Sequence, residues 1–437
     1  MRRQPINFFM VKPKKNQVSQ IQSPKGMHDI LPVDQPIWEK IRRTARETAE
    51  AYNFCRLDTP ILEKLELFER GVGEATDIVE KQMFVLTTKG KERLALRPEA
   101  TAALARSYIQ HGLSQLGQPV KIFSHGPRFR YEQPQAGRYR QFHQIDFDII
   151  SNEDDPIYDA QVILAFCRLL AALKIKNLKV VMNSIGCKNC RPPYKRELQN
   201  YYKNLKSDLC PDCLRRLDIN PLRLLDCKEE KCQELKKNVP IIIDHLCVHC
   251  HNHFKMVLEY LDELSLPYNL DHHLVRGLDY YTKTVFEIVA EGVDFSLAGG
   301  GRYDYLIELL GGKNSPAVGG AMGVERIFEI IKSQNINLGL KVKQKVFLIH
   351  IGELAKRKSL TLLETLRKAD IHVTESLGKE SLKSQLRAAD KFGSPLALIF
   401  GQKEAFEETV MIRDLKSGVQ ETVPLKKLAE TIKKKLH

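Results

Sequence analysis

The sequence predicts an α+β protein of two or three domains, and three observations lead to that fold class. At 437 residues the chain exceeds the size of one ordinary domain. Between 121 and 151 two strand-like segments flank a polar connection, which is typical of a hairpin in an antiparallel sheet. From 345 onward short apolar strands alternate with helices in the βαβ manner. We therefore expect an antiparallel sheet flanked by helices, then a smaller α/β domain.

The first long element is predicted to be an amphipathic helix. Trp38, Ile41 and Ala45 recur at helical spacing, and the opposite face is basic. Pro60 then marks a strand end or a sharp turn. Further along, 274–289 (LVRGLDYYTKTVFEIV) has the β-branched and aromatic composition of a buried strand. The N-terminal end of this segment is unusual, because Arg276 and Asp279 stand where a core strand should be apolar.

The overall charge narrows the class of partner. A net charge of +14 and a pI near 9.2 favour polyphosphates or nucleic acid, although solubility alone would also explain them. No run of about 18 apolar residues occurs, so we expect no transmembrane helix. The first 28 residues lack Asp and Glu and contain Pro5, Pro13 and Pro24. The prolines favour a disordered basic tail over a transit peptide.

The cysteines are concentrated in one segment. The chain has ten, and eight lie from Cys187 to Cys250, where the composition changes sharply enough to indicate an inserted module. The spacing of CKNC and CPDC is that of a four-cysteine zinc site, and the later CKEEKC and CVHC pairs could form a second. The alternative is a set of reduced thiols in a small helical insertion. The predicted structural Zn²⁺ ligands are Cys187, Cys190, Cys210 and Cys213, with Cys227, Cys232, Cys247 and Cys250 as the second set.

Four stretches place arginine beside glycine or proline on predicted sheet segments: RPEATA (97–102), RFRYEQPQAGRYRQFHQIDFD (128–148), RGLDYY (276–281), and GGGRYD with GGAMGVER (299–326). No P-loop motif occurs, and no GxGxxG opens a helix after a strand. Several arginines on a rigid sheet are another way to hold a triphosphate, because guanidinium groups grip phosphate oxygens bidentately. For a single arginine, a salt bridge such as Arg276 with Asp279 remains the alternative.

These four stretches resemble the class II aminoacyl-tRNA synthetases, and RGLDYYTKTVFE is similar to the signature of the histidyl-tRNA synthetase family. The resemblance extends from about residue 25 to the C-terminus. It implies a class II antiparallel sheet flanked by helices, ATP with Mg²⁺ as reactants, and a C-terminal anticodon-binding domain. It also implies a homodimer formed through the region 38–60.

The resemblance also implies roles for individual residues. Arg130 and Arg276 would be catalytic and would face the α-phosphate from two sides, with Arg276 standing where other class II enzymes use a metal. Glu132 would hold the adenine amino group, Phe142 would stack on the adenine, and Arg138 and Arg326 would contact the outer phosphates. Histidine would be bound by Glu99, Thr101 and Gln144 at its amino and carboxylate ends, and by Asp148, Tyr280, Tyr281 and Tyr303 around the imidazole.

Chemistry supports this pocket independently. A neutral imidazole has one donor and one acceptor, so its site needs an acid and a hydroxyl. Core packing is the alternative for the three tyrosines.

With the family as a guide, we divide the chain into a basic disordered tail (1–22), a catalytic core in two parts (23–186 and 254–335), the inserted cysteine-rich module (187–253), a linker (336–344) and the anticodon-binding domain (345–437). The module is expected to contact the tRNA acceptor arm through its Lys and Arg residues. The loop 133–135, where Gln133 replaces a frequent arginine, is also expected near the acceptor end.

The function implied is ATP-dependent attachment of L-histidine to tRNA(His) in the cytoplasm, through a histidyl-adenylate, with release of pyrophosphate and AMP. Two alternatives from other classes remain. One is a non-catalytic paralogue that regulates histidine biosynthesis, although such proteins typically lack the anticodon-binding domain. The other is a zinc-dependent nucleic-acid-binding protein, which would leave the arginine-rich stretches without a purpose.

Overall fold

A computed structural model of the chain describes residues 20–73, 76–135, 137–340, 345–379 and 381–436. The chain divides into two compact units, Met1–Leu338 and Gly339–His437. Of the predicted basic tail, residues 1–19 lie outside the described part, and so do residues 341–344 of the predicted linker. None of the helices in the described ranges has the length and hydrophobicity that a bilayer crossing requires.

The first unit is built from a large sheet, a small sheet and helices on both sides of them. Its strands are β1 (Cys55–Arg56), β2 (Leu62–Lys64), β3 (Val85–Thr87), β4 (Arg93–Leu96), β5 (Val120–Phe129), β6 (Gln141–Ile150), β7 (Leu178–Ser184), β8 (Tyr268–Leu270), β9 (Thr282–Ala290), β10 (Ala298–Arg302) and β11 (Ala317–Gly323). Its helices are α1 (Gln35–Ala51), α2 (Leu65–Val72), α3 (Thr101–Gln110), α4 (Ile157–Ala172), α5 (Arg191–Lys203), α6 (Pro211–Ile219), α7 (Glu230–Leu235), α8 (Val248–Glu263), α9 (Leu306–Leu309) and α10 (Val324–Ser333), with a π-helix at Ile78–Gln82 and 3₁₀ turns that include Pro221–Leu224.

The large sheet has the strand order β1-β5-β6-β11-β10-β9-β7-β8 and is antiparallel except at its two edges. At its centre β5 and β6 form a long hairpin whose register runs from Val120 opposite Ile150 to Phe129 opposite Gln141. The predicted hairpin and the predicted antiparallel sheet are therefore confirmed. The strands β2, β4 and β3 form a separate small antiparallel sheet.

Apolar and polar side chains alternate along β6, so the apolar ones face the core and the polar ones face the other side of the sheet. Phe147 packs edge-on against Phe166 of α4 and belongs to the same buried cluster as Ile41 of α1. Successive side chains of a strand point to opposite faces, so Gln144 and Asp148 lie on the face away from these helices. One face of the sheet is thus a conventional apolar core, and the other carries buried polar groups.

The inserted module is helical, as predicted, and it shares a core with the polar side of the sheet. Tyr194 and Leu198 of α5 are fully buried and fall in one apolar cluster with Val285 of β9 and Leu306 of α9. Packing of this extent fixes the module against the rest of the first unit.

The second unit is an α/β domain, and the predicted alternation of strands and helices is confirmed. Its elements are β12 (Val346–His350), α11 (Glu353–Lys368), β13 (Val373–Glu375), α12 (Leu382–Lys391), β14 (Leu396–Phe400), α13 (Gln402–Glu407), β15 (Thr409–Asp414), β16 (Gln420–Pro424) and α14 (Leu425–Leu436). The sheet order is β13-β12-β14-β15-β16, parallel over the first three strands and antiparallel over the rest.

Candidate active site

A polar cavity of about 480 Å³ opens on the face of the large sheet that the helices α1 and α4 do not cover. Its walls come from the loop between β5 and β6, the RGLDYY loop, strands β9 to β11 and the start of α10. Among the residues predicted from the sequence, those that border it are Arg130, Glu132, Arg138, Phe142, Gln144, Arg276 and Arg326. Three of the four arginine-bearing stretches of the sequence therefore converge on one space.

Arg130 is held at the base of the hairpin loop. Its Nε donates to the carbonyl oxygen of Pro98 at 3.0 Å, and its guanidinium lies 5.3 Å from the ring centre of Phe142. Glu132 is more distant, with 3.9 Å between its Oε1 and Nη1 of Arg130. Burial lowers the pKa of Arg130 below its ordinary value, so the site holds a partly desolvated cation that an anion can pair with.

Arg276 lies in a loop, which corrects the predicted strand at 274–289: only Thr282–Ala290 is a strand. The segment RGLDYY, which precedes β9, does not pair with the neighbouring strands. Its backbone turns away from the sheet and brings Arg276 over β9 and β10. There Arg276 forms an ion pair with Glu287, not with Asp279 as the alternative interpretation had it. Burial alone would lower the pKa of Arg276, but the Glu287 carboxylate raises it above the ordinary value.

Two further arginines stand at the other side of the cavity. Arg326, in the first turn of α10, donates from Nη1 to the carbonyl oxygen of Ser296 at 2.8 Å and lies 5.3 Å from the ring centre of Phe295. Burial, and next the positive charge of the exposed Arg138, lower the pKa of Arg326. Two cations that repel each other in the absence of a ligand are suited to binding the oxygens of a polyphosphate.

Beside the cavity lies a buried cluster of acids and tyrosines. Tyr303 donates from Oη to Oδ1 of Asp148 at 2.7 Å, and Tyr280 Oη lies 3.4 Å from Oε2 of Glu99. The ring of Tyr280 contacts both other tyrosine rings, with centres 4.6 Å from Tyr281 and 5.7 Å from Tyr303. The structure therefore brings together the five buried side chains that were predicted to line the amino-acid pocket.

Glu99 is oriented by the start of α3. Its carboxylate accepts from the backbone amides of Thr101 at 2.6 Å and Ala102 at 2.9 Å. A carboxylate in this position satisfies amides that have no partner within the helix. Burial nevertheless raises the pKa of Glu99, so a bound cation would stabilise its charged form.

Several buried polar atoms at the site have no hydrogen-bond partner among the described residues. They include Oδ2 of Asp148, Oε1 of Gln144 and Nε of Arg276. Burial, and next the neighbouring Asp146, raise the pKa of Asp148 well above its ordinary value. Buried polar groups in native proteins are nearly always paired, so these atoms indicate a polar ligand that completes the site.

Not every predicted arginine serves the cavity. Arg97 donates from Nη1 to the carbonyl oxygen of Thr59 at 2.7 Å, and burial lowers its pKa to about 10. Arg128 is fully buried in an ion pair of 2.7 Å with Asp146. Arg302 is also buried, within a group of carboxylates. These three arginines hold the fold. Arg128 and Arg302 pair with carboxylates, but in buried pairs and not in the surface salt bridges of the alternative interpretation.

Sequence reasoning missed several residues of the cavity. Glu287, Asp77 and Arg223 all border it, together with the exposed Lys228. Glu287 had a signal, because it is a lone carboxylate within the apolar strand pattern TVFEIV. Arg223 and Lys228 belong to the inserted module, and nothing in their local pattern indicates that the module reaches the cavity.

The eight cysteines of the module form two groups, and the predicted grouping is wrong. Cys187 and Cys190 meet Cys247 and Cys250, while Cys210 and Cys213 meet Cys227 and Cys232. The physical reason is that the chain leaves and re-enters the core at neighbouring points, so the first and last pairs close the module. Within each group the sulfur atoms all lie within 4.8 Å of one another.

Both groups have the dimensions of a tetrahedral metal site. The Cys187 and Cys190 sulfurs are 3.6 Å apart, and those of Cys210 and Cys227 are 3.8 Å apart. Tetrahedral Zn–S bonds of about 2.3 Å place neighbouring sulfurs ~3.8 Å apart. The backbone amide of Cys213 also donates to the Cys210 sulfur at 3.4 Å, which favours a thiolate. Either group could therefore hold a metal ion.

The chain matches two family models and relatives over nearly its whole length. The family model described as "Histidyl-tRNA synthetase" matches residues 26–189 and 218–327, and the one described as "Anticodon binding domain" matches 345–435. The histidine–tRNA ligase of Dehalococcoides mccartyi is 45% identical over 95% of this chain and 100% of its own length. That of Aquifex aeolicus is 44% identical over 93% of this chain and 100% of its own length.

A solved structure is similar over the same extent. The apo histidyl-tRNA synthetase of S. aureus superposes with a TM-score of 0.78 at 32% identity, covering 95% of this chain and 100% of that one. The fold is that of the class II aminoacyl-tRNA synthetases. Within that class, the chain belongs to the histidyl-tRNA synthetase family.

Proposed function

We propose that the protein attaches L-histidine to tRNA(His) in two steps, with ATP as the source of free energy. The observation that carries this proposal is the position of Arg130 and Arg276 on one cavity beside the buried Asp148–Tyr303 pair. The cavity suits a nucleotide, and the buried pair suits an imidazole. Their adjacency would put the carboxylate of a bound histidine next to the α-phosphate of a bound ATP.

ATP would occupy the cavity with its phosphates on the four arginines. Arg130 and Arg276 would contact the α-phosphate, and Arg138 and Arg326 the outer phosphates. Phe142 would stack on the adenine, with Glu132 accepting from its amino group. Mg²⁺ would arrive on the phosphates and keep several waters, with Glu287 and Glu325 among the carboxylates that line the cavity.

Histidine would be held in the cluster beside the cavity. Glu99 would pair with its ammonium group, supported by Thr101 and Gln144. Asp148 would accept from one imidazole nitrogen through the oxygen that lacks a partner, with Tyr303 holding its other oxygen. Tyr280 and Tyr281 would close the pocket. A site of this kind rejects apolar amino acids, because they would leave its buried polar groups unpaired.

In the first step a histidine carboxylate oxygen attacks the α-phosphorus, and pyrophosphate leaves. The new P–O bond forms as the bond to the β-phosphate breaks, and Arg130 and Arg276 stabilise the charge on the α-phosphate oxygens. In the second step a terminal ribose hydroxyl of the tRNA attacks the histidyl carbonyl, and AMP leaves. Neither step needs a nucleophilic side chain.

The tRNA would be bound by three parts of the chain. The second unit matches an anticodon-binding domain. Exposed basic residues of the module, among them Lys203, Lys206 and Lys231, suit phosphate contacts with the acceptor arm. Gln133 and Gln135 are exposed in the loop between β5 and β6, next to the cavity, where the acceptor end must arrive.

We further propose one structural Zn²⁺ in each cysteine group and a cytoplasmic homodimer. The sulfur spacing described above supports the zinc sites. Exposed apolar residues on the small sheet, Leu62, Val85 and Leu86, support an interface near the region 38–60.

Pyrophosphate exchange tests the function directly. The protein is incubated with ATP, labelled pyrophosphate and each of the 20 amino acids in turn, and only histidine should support exchange. Arg276→Ala should abolish that exchange while the protein stays folded, whereas Lys255→Ala, at an exposed pair on α8, should leave it intact. Exchange with a different amino acid, or with none, would refute the proposal.

A further inference from the structure

One loop of the inserted module is fixed at both ends by a cysteine group. We call residues 214–226, which contain most of α6 and the 3₁₀ turn Pro221–Leu224, the docking loop. Cys213 precedes it and Cys227 follows it, and both belong to the same four-sulfur group. A metal ion bound there would therefore close the docking loop at its base.

The docking loop is fastened to the core by polar side chains. Arg216 pairs with Asp77 at 2.6 Å between Nη2 and Oδ2. Asn220 donates from Nδ2 to Oδ1 of Asp279 at 2.9 Å. Asp279 belongs to the RGLDYY loop and Asp77 borders the cavity, so the docking loop contacts the wall of the candidate active site.

Arg223 makes the contact with the most direct consequence. Its Nη1 donates to the backbone carbonyl of Arg276 at 3.1 Å, and its Nη2 lies 3.3 Å from Oδ2 of Asp77. The side chain is only 10% exposed, so these bonds are shielded from solvent. One planar guanidinium thus ties the backbone of Arg276 to Asp77, another residue that lines the cavity.

We propose that Arg223, held by the docking loop and its cysteine group, positions Arg276 for the attack on the α-phosphate. This inference rests on the proposed function and adds a role for the module that is separate from tRNA contact. Arg223 acts through the backbone of Arg276 and is a positioning residue. A displacement of about 1 Å in a reacting geometry costs as much as 10²-fold in rate, so the effect belongs in the turnover number.

The first experiment separates positioning from a simple positive charge, since Arg223 also borders the cavity. Arg223→Ala and Arg223→Lys are compared in histidine-dependent pyrophosphate exchange with Arg215→Ala, which removes an exposed ion pair with Glu80 and no bond to Asp77 or Arg276. Both Arg223 variants should lose at least about tenfold in kcat, with the KM for ATP within about twofold, because lysine cannot make the forked contact. The Arg215 control should stay within about twofold of the wild type.

Two results would overturn positioning by Arg223. One is a Lys variant with wild-type kcat, which would mean that the charge alone suffices. The other is a loss confined to the KM for ATP, which would mean direct nucleotide binding. Absence of exchange in the wild type would instead defeat the proposed function, so the two failures are distinguishable.

The second experiment tests the link to the cysteine group. Cys227→Ser and Cys247→Ser, one from each group, are compared for zinc content and exchange. Each should lose about one equivalent of zinc. Cys227→Ser should lower kcat as Arg223→Ala does, and the double variant should be no slower than either single one, because both act through the same contact. Multiplicative losses would overturn the link.

A measurement on intact protein covers the case in which Cys227→Ser does not fold. Coupling is reciprocal, so a ligand that needs Arg276 in place must also stabilise the cysteine group. In the wild type, ATP with the amino alcohol histidinol should slow zinc release to a chelator severalfold. The slowed release should be from the group that contains Cys213 and Cys227. The same ligands should not slow it in Arg223→Ala. Equal release rates with and without ligands in the wild type would contradict the inference.

Discussion

The guanidinium of Arg276 lies against the backbone of Gly299. A Cβ at position 299 would stand 2.7 Å from Nη1 and 2.8 Å from Nη2 of Arg276, closer than any real contact allows. Gly299 is also the register partner of Glu287, the residue that forms the ion pair with Arg276. The arginine is therefore held flat over the ladder between β9 and β10, and glycine is needed because of the close approach.

The first prediction concerns this contact. Gly299→Ala should displace the Arg276 guanidinium and lower kcat of histidine-dependent pyrophosphate exchange by at least about tenfold, because a preorganised charge at the α-phosphate is lost. Gly117→Ala is the matched control, since a Cβ there meets nothing within 4 Å. Exchange and thermal unfolding should be measured together. Wild-type exchange in Gly299→Ala would show that the position of Arg276 does not matter.

The second prediction concerns the hydroxyl of Tyr303. Tyr303→Phe removes the only described hydrogen bond of the Asp148 side chain, a charge-assisted bond of the kind that contributes about 1.5–3 kcal/mol. The KM for histidine should therefore rise about 10- to 100-fold, while the KM for ATP stays within about twofold. Tyr108→Phe should change neither, because Tyr108 Oη is buried without a partner in the described part of the chain. Equal losses for both substrates would argue against a pocket specific to histidine.

Much of the fold could be predicted from the sequence, because periodicity reports which faces are buried. The alternation of Ile145, Phe147 and Ile149 with polar residues on β6 is one example, and the strands of the second unit are another. The RGLDYY loop was missed as a loop because Tyr280 and Tyr281 are also good strand formers. Composition cannot distinguish a strand from a buried loop that carries the same residues.

The sequence could predict which residue types form the site, but it could predict less well which partners each residue contacts. Arg128 and Arg302 look like Arg130 in the sequence, and only the partners reveal that they are buried ion pairs. The cysteine grouping failed for a related reason: spacing reports pairs that are near in sequence, whereas Cys190 meets Cys247 through the path of the whole module. Arg223 reaches the cavity by the same long-range route.

The third prediction follows from the buried carboxyl of Asp148. Burial raises its pKa well above the ordinary value, so the folded state holds the proton more tightly than the unfolded state. Stability must then fall as pH rises from about 4 through the folded pKa, because the unfolded chain gains more from ionisation. Asp148→Asn removes this penalty. Without ligands it should therefore unfold at a higher temperature than the wild type at pH 8, and the difference should shrink as pH falls towards 4.

The histidine response of the same variant provides the second half of that test. Histidine with ATP should stabilise the wild type against thermal unfolding and should fail to stabilise Asp148→Asn, because an amide cannot supply the negative charge. A variant that is destabilised at every pH would show that Asp148 is buried as a satisfied carboxylate.

The fourth prediction concerns the buried ion group around Arg302. Its Nη2 lies 3.0 Å from Oδ1 of Asp154, its Nε lies 3.0 Å from Oδ1 of Asp304, and it also pairs with Asp159. Arg302→Ala leaves the fully buried Asp159 without its guanidinium partner, whereas Asp154 and Asp304 keep Lys283. Breaking a buried ion pair typically costs about 3–5 kcal/mol of unfolding free energy. Burial would raise the pKa values of Asp154 and Asp159, but the Arg302 guanidinium holds both below the ordinary value. The stability they contribute is therefore present above about pH 4 and is lost as pH falls through their folded pKa values.

Urea unfolding at pH 7 and pH 3 measures this effect. Arg302→Ala should lose much unfolding free energy at pH 7 and less at pH 3. Arg46→Ala should lose less than about 1 kcal/mol at either pH, because its ion pair is exposed. An equal loss at both pH values would mean that Arg302 contributes by packing and not by charge.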